Sequence, residues 1–354
     1  MRWISLLVIA AINFFGNGAT PAAGDGTFRI SDWVGRTYLN KGEKQLDHCS
    51  AQLTNADKIT IIYSLDRQYV WSLGISSPAW NFTKGASFQV AFGLGDRETL
   101  RTQAIADEPQ LARVQLPDSL SFFKALTNII QVGFVAGGLT SHFDLTYSNQ
   151  VLTALTKCVV RYGASSQSRA AIAAWLKSSV ASKSNTSDDA SIHNEASALA
   201  TNIMTETDIP KAASMPQNEV PAGLTGDAFW KVGKILFTLS ILPQNETPPV
   251  NDLPGLIIGG DAQKCRGDLF AGAIIDVIGS LRVARAITNC LTPEATTTIY
   301  YLAIPRKKGG VYLLATLTSG FEMPALGQQT AEEVDRKIRG SVIVALSKLS
   351  QDKH

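Results

Sequence analysis

The sequence predicts an α+β protein built from two β-rich modules, with antiparallel, sandwich-like sheets each closed by an amphipathic helix, and a partly helical connector between them. Three observations carry that expectation. Short runs of β-branched and aromatic residues, cut by turn-formers, fill the chain from Gly26 to about Tyr162. A second set of such runs begins near Gly226 and ends in a helical pattern. Between the two sets lies a stretch of different composition, polar and rich in serine. The expected boundaries are 1–24 for a signal peptide, 25–163 for the first module, 164–225 for a connector flexible at its middle, and 226–354 for the second module.

The N-terminus reads as a secretory signal. Arg2 supplies the positive charge, Ile4 to Gly16 is apolar apart from Asn13, and small residues follow. That apolar stretch is well short of the ~20 residues a membrane span requires. A cut after Gly24 places Ala22 at the −3 position. Removing those residues takes away Arg2 and no acid, so the formal charge falls from +2 to +1. A chain so close to neutral is a poor match for nucleic acid or an anionic membrane surface. No later stretch approaches membrane-spanning length, so a periplasmic or secreted protein is expected.

In the first module, Lys58–Ser64, Gln68–Ile75, Ser87–Leu94, Leu100–Ile105 and Leu111–Leu116 read as strands. Within Ser87–Leu94 the alternation is strict: Phe88, Val90, Phe92 and Leu94 share one face. Asp118–Ile129 changes to helical spacing, with Leu120, Phe123, Leu126 and Ile130 on one stripe. Strands at Val132–Ala136 and Thr140–Thr146 follow. A closing helix from about Asn149 turns Val151, Leu155 and Val159 inward, and Cys158 with them.

The connector holds two helical stretches, Ala170–Val180 and Ile192–Met204, around the polar Ser182–Ser191. In the second module, Phe229–Leu242 reads as one long strand or two joined ones. Val250–Ile258, Cys265–Phe270 and Leu281–Cys290 follow. Thr297–Ile304 and Val311–Leu317 pair as a hairpin across Pro305-Arg-Lys-Lys-Gly-Gly310. Thr330-Ala-Glu-Glu333 fits a capping box, and Val334, Ile338, Val342, Ala345, Leu346 and Leu349 then form an apolar stripe.

Four cysteines, Cys49, Cys158, Cys265 and Cys290, fit an oxidising compartment and allow three pairings. The connector favours the modular one, Cys49 with Cys158 and Cys265 with Cys290. Metal binding is disfavoured because no Cys-x-x-Cys or His-x₃-His spacing accompanies them.

The chain has no nucleophile elbow, zinc-protease, Walker or dinucleotide fingerprint, so no cofactor is expected. Gly93-Leu-Gly-Asp96 has Glu98 where a third glycine belongs and reads as a hairpin turn. His142 and Asp144, two apart on one strand, share a face and form a conceivable base–carboxylate pair. Arg306, Lys307 and Lys308 at a hairpin tip could grip an anion, although a solvated turn has the same pattern. Trp80, after Pro78 in a turn, is the aromatic expected to be exposed and available for binding. Most other aromatics read as core.

The first module resembles a known group. The early cysteine, the strand Trp71-Ser-Leu-Gly-Ile75, Phe123-Lys-Ala-Leu126, Phe143-Asp-Leu-Thr-Tyr-Ser-Asn149 and Leu155-Thr-Lys-Cys158 are similar to exported α-proteobacterial β-sandwich proteins grouped with invasion-associated locus B. The resemblance covers about Gly42–Val160. Segments of the second module, Cys265-Arg-Gly-Asp-Leu-Phe270, Arg285-Ala-Ile-Thr-Asn-Cys290 and Tyr300-Tyr-Leu-Ala-Ile-Pro-Arg306, resemble rhizobial exported proteins. The resemblance implies a periplasmic or surface-associated role and supplies no catalytic residue; the connector and second module have no counterpart in the locus B pattern. The functional expectation is therefore an exported binding or interaction protein with a protein or envelope partner. The alternative is a secreted hydrolase with its site where the modules meet.

Overall fold

A computed structural model describes residues 20–21, 26–40, 45–94, 99–163, 187–207, 212–221, 224–244, 247–278, 281–320 and 331–351. The expected signal segment, except for Thr20 and Pro21, lies outside these residues, as do the Ala170–Val180 stretch and Thr330 of the capping box. Apart from the turn at 68–70, the chain divides into one unit up to residue 165 and a second from 166.

The first unit is an 11-stranded antiparallel sheet with two helices. Its strands are β1 (Thr20–Pro21), β2 (Thr27–Ile30), β3 (Trp33–Leu39), β4 (Leu46–Thr54), β5 (Thr60–Asp66), β6 (Trp71–Ser76), β7 (Ser87–Leu94), β8 (Thr99–Glu108) and β9 (Leu111–Gln115), then β10 (Gln131–Ala136) and β11 (Leu139–Asp144). The order is β1-β3-β4-β5-β6-β9-β8-β7-β10-β11, with β2 paired to β3. Helix α1 (Ser119–Leu126) precedes β10, and α2 (Ser148–Gly163) closes the unit.

Register decides which face is the core. Thr37 pairs with Cys49, Cys49 with Leu65, and Leu65 with Trp71, while Ala51, Tyr63 and Leu73 align beside them. All of these share one face, and both helices lie on it. Phe123 of α1 stacks on Trp71 at 4.8 Å and meets Tyr63 edge-on at 5.3 Å. Its neighbour Phe122 meets Phe92 of β7 at 5.7 Å, so α1 packs against both halves of the sheet. The sheet also curls. Asn55, in the β4–β5 turn, donates to Ser141 of β11 at 2.6 Å, and Ser141 donates to Asp57 at 2.9 Å. Along α2, Val151, Leu152, Leu155 and Val159 are buried, and Cys158 is bonded to Cys49.

Helix α1 ends earlier than its stripe predicts. Asp118 caps it by accepting from the Ser121 amide, and it stops at Leu126. Ile130, expected on the buried stripe, is 72% exposed. Strands β3 and β4 were not individually foreseen; β4 is buried on both faces along its middle and lacks clean alternation.

The second unit is a 7-stranded antiparallel sheet. Its elements are α3 (Ser187–Glu206), β12 (Ala213–Ser214), β13 (Ala228–Val232), β14 (Ile235–Leu242), α4 (Leu253–Lys264), β15 (Asp268–Ile278), β16 (Leu281–Leu291), β17 (Thr296–Pro305), β18 (Val311–Ser319) and α5 (Ala331–Gln351). The order is β12-β13-β14-β18-β17-β16-β15. Helices α3 and α5 share a core with Trp230, Phe237, Leu302 and Leu314 on one sheet face. Helix α4 packs on the other face against Ala284, Ala303, Val311 and Leu313. The sheet is thus covered by helices on both sides.

Of the two readings of Phe229–Leu242, the structure has the second: two strands, folded back at Gly233-Lys234. Other expectations change here. Val250–Ile258 is not extended: α4 occupies it, with Asp252 at the cap position and Pro254 in the first turn, where a missing N–H is harmless. An apolar run this short has no readable period. Cys265 ends that helix rather than opening a strand, and β15 starts at Asp268. The polar stretch read as flexible to Ser191 is helical from Ser187, and α3 buries Ala196, Leu199, Ala200 and Ile203 in the second unit's core. Their 3–4 spacing was visible; the partner face was not. The hairpin at Thr297–Leu317 forms as β17 and β18, with Ile304 opposite Tyr312. Gly310 has φ of 82°, and a Cβ there would lie 2.1 Å from the Leu242 carbonyl oxygen, so only glycine fits.

Candidate functional site

A cleft of the second unit lies where α3 passes the β17–β18 turn. Helical spacing explains how one helix serves both core and cleft. Ala196, Leu199 and Ile203 face the sheet, while Ser191, Asn194, Glu195 and Ala198 recur on the flank beside them. The turn supplies the opposite wall. It is closed by Arg306 N–H donating to the Gly310 carbonyl at 3.0 Å and by Gly309 N–H donating to that of Arg306 at 2.9 Å. Leu281, Pro305, Tyr312 and Leu346 complete the lining of a cleft of about 630 Å³.

Glu195 organises the rim. Arg306 grips its carboxylate with two N–H groups, Nε to Oε1 and Nη2 to Oε2, both at 2.7 Å. Tyr312 donates its hydroxyl to Oε1 at 2.6 Å, and Lys308 Nζ donates to Oε2 at 3.1 Å. The forked contact is the strong geometry for an arginine–carboxylate pair. The Arg306 hydrogen bonds lead in pulling the Glu195 carboxyl down to about 2, against a desolvation cost that acts the other way. Burial, then Glu195, pushes the Tyr312 phenol up to about 12. Lys307 lines the cleft beside them and is exposed. The structure therefore gathers Arg306, Lys307 and Lys308 at one mouth.

Glu195 and Tyr312 were missed. Glu195 is 111 residues from Arg306 in sequence and sits in the stretch read as connector. No local motif joins them. The sequence offered only a lone acid within the Ile192–Met204 helical stretch, with nothing to say what it meets.

A second polar group lies under α4. Asp261 accepts from the Thr288 and Tyr301 hydroxyls, both at 2.7 Å, close to the Cys265–Cys290 bond that fastens the end of the same helix. Burial raises its carboxyl above the ordinary range despite those two donors.

The first-unit candidates are placed differently. His142 and Asp144 are both exposed on the edge strand β11. The His142 ring lies over Gly133 of the neighbouring strand: its Nδ1 is 3.0 Å from where a Cβ would stand. Asp144 accepts from the Thr146 amide and hydroxyl, and these two bonds lower its carboxyl from the ordinary range. Its carboxylate thus shapes the turn into α2 and also borders a small cleft of about 270 Å³ with Asp32, Trp33, Asn55 and Tyr147.

Trp80 requires correction. It is 4% exposed, not a surface aromatic, and packs with Phe82 and Phe88 at 5.2 and 5.5 Å. Gly137, with φ of 53°, lets the β10–β11 turn close over it: a Cβ there would stand 2.9 Å from the indole nitrogen. A turn tryptophan is exposed only if no other loop covers it, and here one does.

The cysteines are joined Cys49 to Cys158 and Cys265 to Cys290. Among the described residues no group of three or more His, Cys, Asp or Glu is arranged to hold a metal ion, and no helix is long and apolar enough to cross a membrane. No protein-family model, curated protein or solved structure matches this chain.

Proposed function

We propose that this is an exported binding protein of the periplasm or cell exterior, and that its second unit carries the ligand site in the cleft between α3 and the β17–β18 turn. The observation that carries the reading is the cleft itself. Its volume of about 630 Å³ falls in the range of small-molecule sites, and apolar walls with a few convergent polar groups are the usual composition of such sites. The Glu195–Arg306–Tyr312 bonds hold the rim in one geometry, which reduces the ordering cost of binding. Two disulfides and a signal-like N-terminus support the compartment.

Titration with the neutral fluorescent dye N-phenyl-1-naphthylamine tests the site. The expected result is saturable enhancement with one dye per chain, lost in Ala198→Trp. Ala198 is an exposed cleft-lining position where the indole fills space without disturbing the core. Absence of saturable binding, or unchanged binding in that variant, would sink the reading.

A further inference from the structure

We infer that the ligand of this cleft is an amphipathic organic anion, with its apolar body between α3 and the sheet and its charged head at the β17–β18 turn. The inference rests on the binding reading above and adds the chemical class. The lining residues divide by position. Ala198, Leu281, Pro305 and Leu346 offer aliphatic surface, and all of the lining cations belong to one turn. Among the described lining residues three cations, Arg306, Lys307 and Lys308, accompany one carboxylate, Glu195. The described lining residues therefore carry a formal surplus of positive charge, with Lys307 exposed at the mouth.

Glu195 does not fill the role of the anion. Its carboxylate takes Nε and Nη2 of Arg306, leaving the N–H groups of Nη1 outside that fork. Four donors on one carboxylate make Glu195 a brace that fixes the guanidinium and the Tyr312 hydroxyl, not a group a weak ligand displaces. Lys307 has no such engagement among the described contacts and is exposed at the cleft. A cationic or neutral polar head would meet this surplus with repulsion or without gain, whereas a carboxylate or sulfonate beside an apolar wall meets both chemistries at once.

A matched dye pair separates the class of ligand from the existence of the site. 1-Anilinonaphthalene-8-sulfonate has the same aromatic body as N-phenyl-1-naphthylamine plus one sulfonate. The purified, disulfide-intact protein is expected to bind the sulfonate at least tenfold more tightly at low ionic strength, with the preference shrinking at 0.5 M salt. Lys307→Glu, at an exposed position outside the Glu195 brace, is expected to remove most of that preference while the melting temperature stays within a few degrees of the parent. If the neutral dye binds and Ala198→Trp blocks it, yet the sulfonate gains nothing, the anionic class is overturned and the cleft reading stands. If a preference exists but survives the charge reversal at Lys307 undiminished, the turn is not the head-group site and the inference fails.

Discussion

The two units use the same materials, an antiparallel sheet, amphipathic helices and one disulfide each, and arrange them differently. In the first, both helices lie on one face of a curling sheet, and the contacts at its centre are aromatic: Trp71, Tyr63, Phe123, Phe122 and Phe92. In the second, a smaller sheet is covered on both faces, and its helices carry buried or half-buried carboxylates tied to the sheet, Glu195 on α3 and Asp261 on α4. The difference teaches where a cleft can form. The helices of the first unit turn their apolar faces into the curl of the sheet and line neither of the two described clefts. A helix laid on an open sheet keeps a flank that can line a cavity with the nearest turn.

The disulfides sharpen the contrast most. Cys49–Cys158 spans 109 residues and Cys265–Cys290 only 25. By chain entropy these loops correspond to about 4.8 and about 3.5 kcal/mol. Paired cysteine-to-alanine variants in urea unfolding should therefore show the larger loss for the first bond. Equal losses, or the reverse order, would mean that packing of α2 or α4, not loop closure, dominates.

The carboxylates of the second unit should respond to pH with opposite signs. Glu195 has its pKa lowered from 4.5 to about 2, so its contribution is present above its ordinary value and is lost as pH falls from about 4.5 toward 2. Glu195→Gln is expected to cost about 2 kcal/mol at pH 7 and progressively less in acid. Asp261 has its pKa raised above 3.8, so the proton it holds in the fold favours stability at low pH, and that contribution is lost as pH rises through the raised value. Asp261→Asn keeps an acceptor for Thr288 and Tyr301, and relative to the parent it should gain stability between pH 4 and pH 7. Unfolding midpoints measured at both values check each sign; parallel pH profiles for the two variants would break the distinction.

The smallest effect is expected on the first unit's edge. His142→Ala should shift stability by no more than about 0.5 kcal/mol, because the ring is exposed. A larger loss would show that its packing over Gly133 matters to the β10–β11 pair.

How far the sequence could be read follows from the range of each interaction. The strict alternation at Ser87–Leu94, the hairpin around Gly309-Gly310 and the stripe Val334–Ile338–Val342 depend on neighbours a few residues apart, and they formed as expected. Val250–Ile258 was misread because so short a stretch shows neither period clearly. Trp80 was misread because its cover comes from Gly137, far along the chain. Of the candidate site, the basic turn was legible and its carboxylate brace was not.

The sequence by itself determined the class, two β-rich regions with amphipathic helices, because hydrophobic period and turn chemistry are local. It also determined that the cysteines could be shared out one pair to each side of the connector. Only the tertiary structure decided which sheet face each helix covers, that α3 belongs to the second core, and that Glu195 meets Arg306, Lys308 and Tyr312. The Glu195 contacts join residues more than a hundred positions apart. Their energy exists only once burial has brought the helix against the sheet, and no pattern along the chain encodes it.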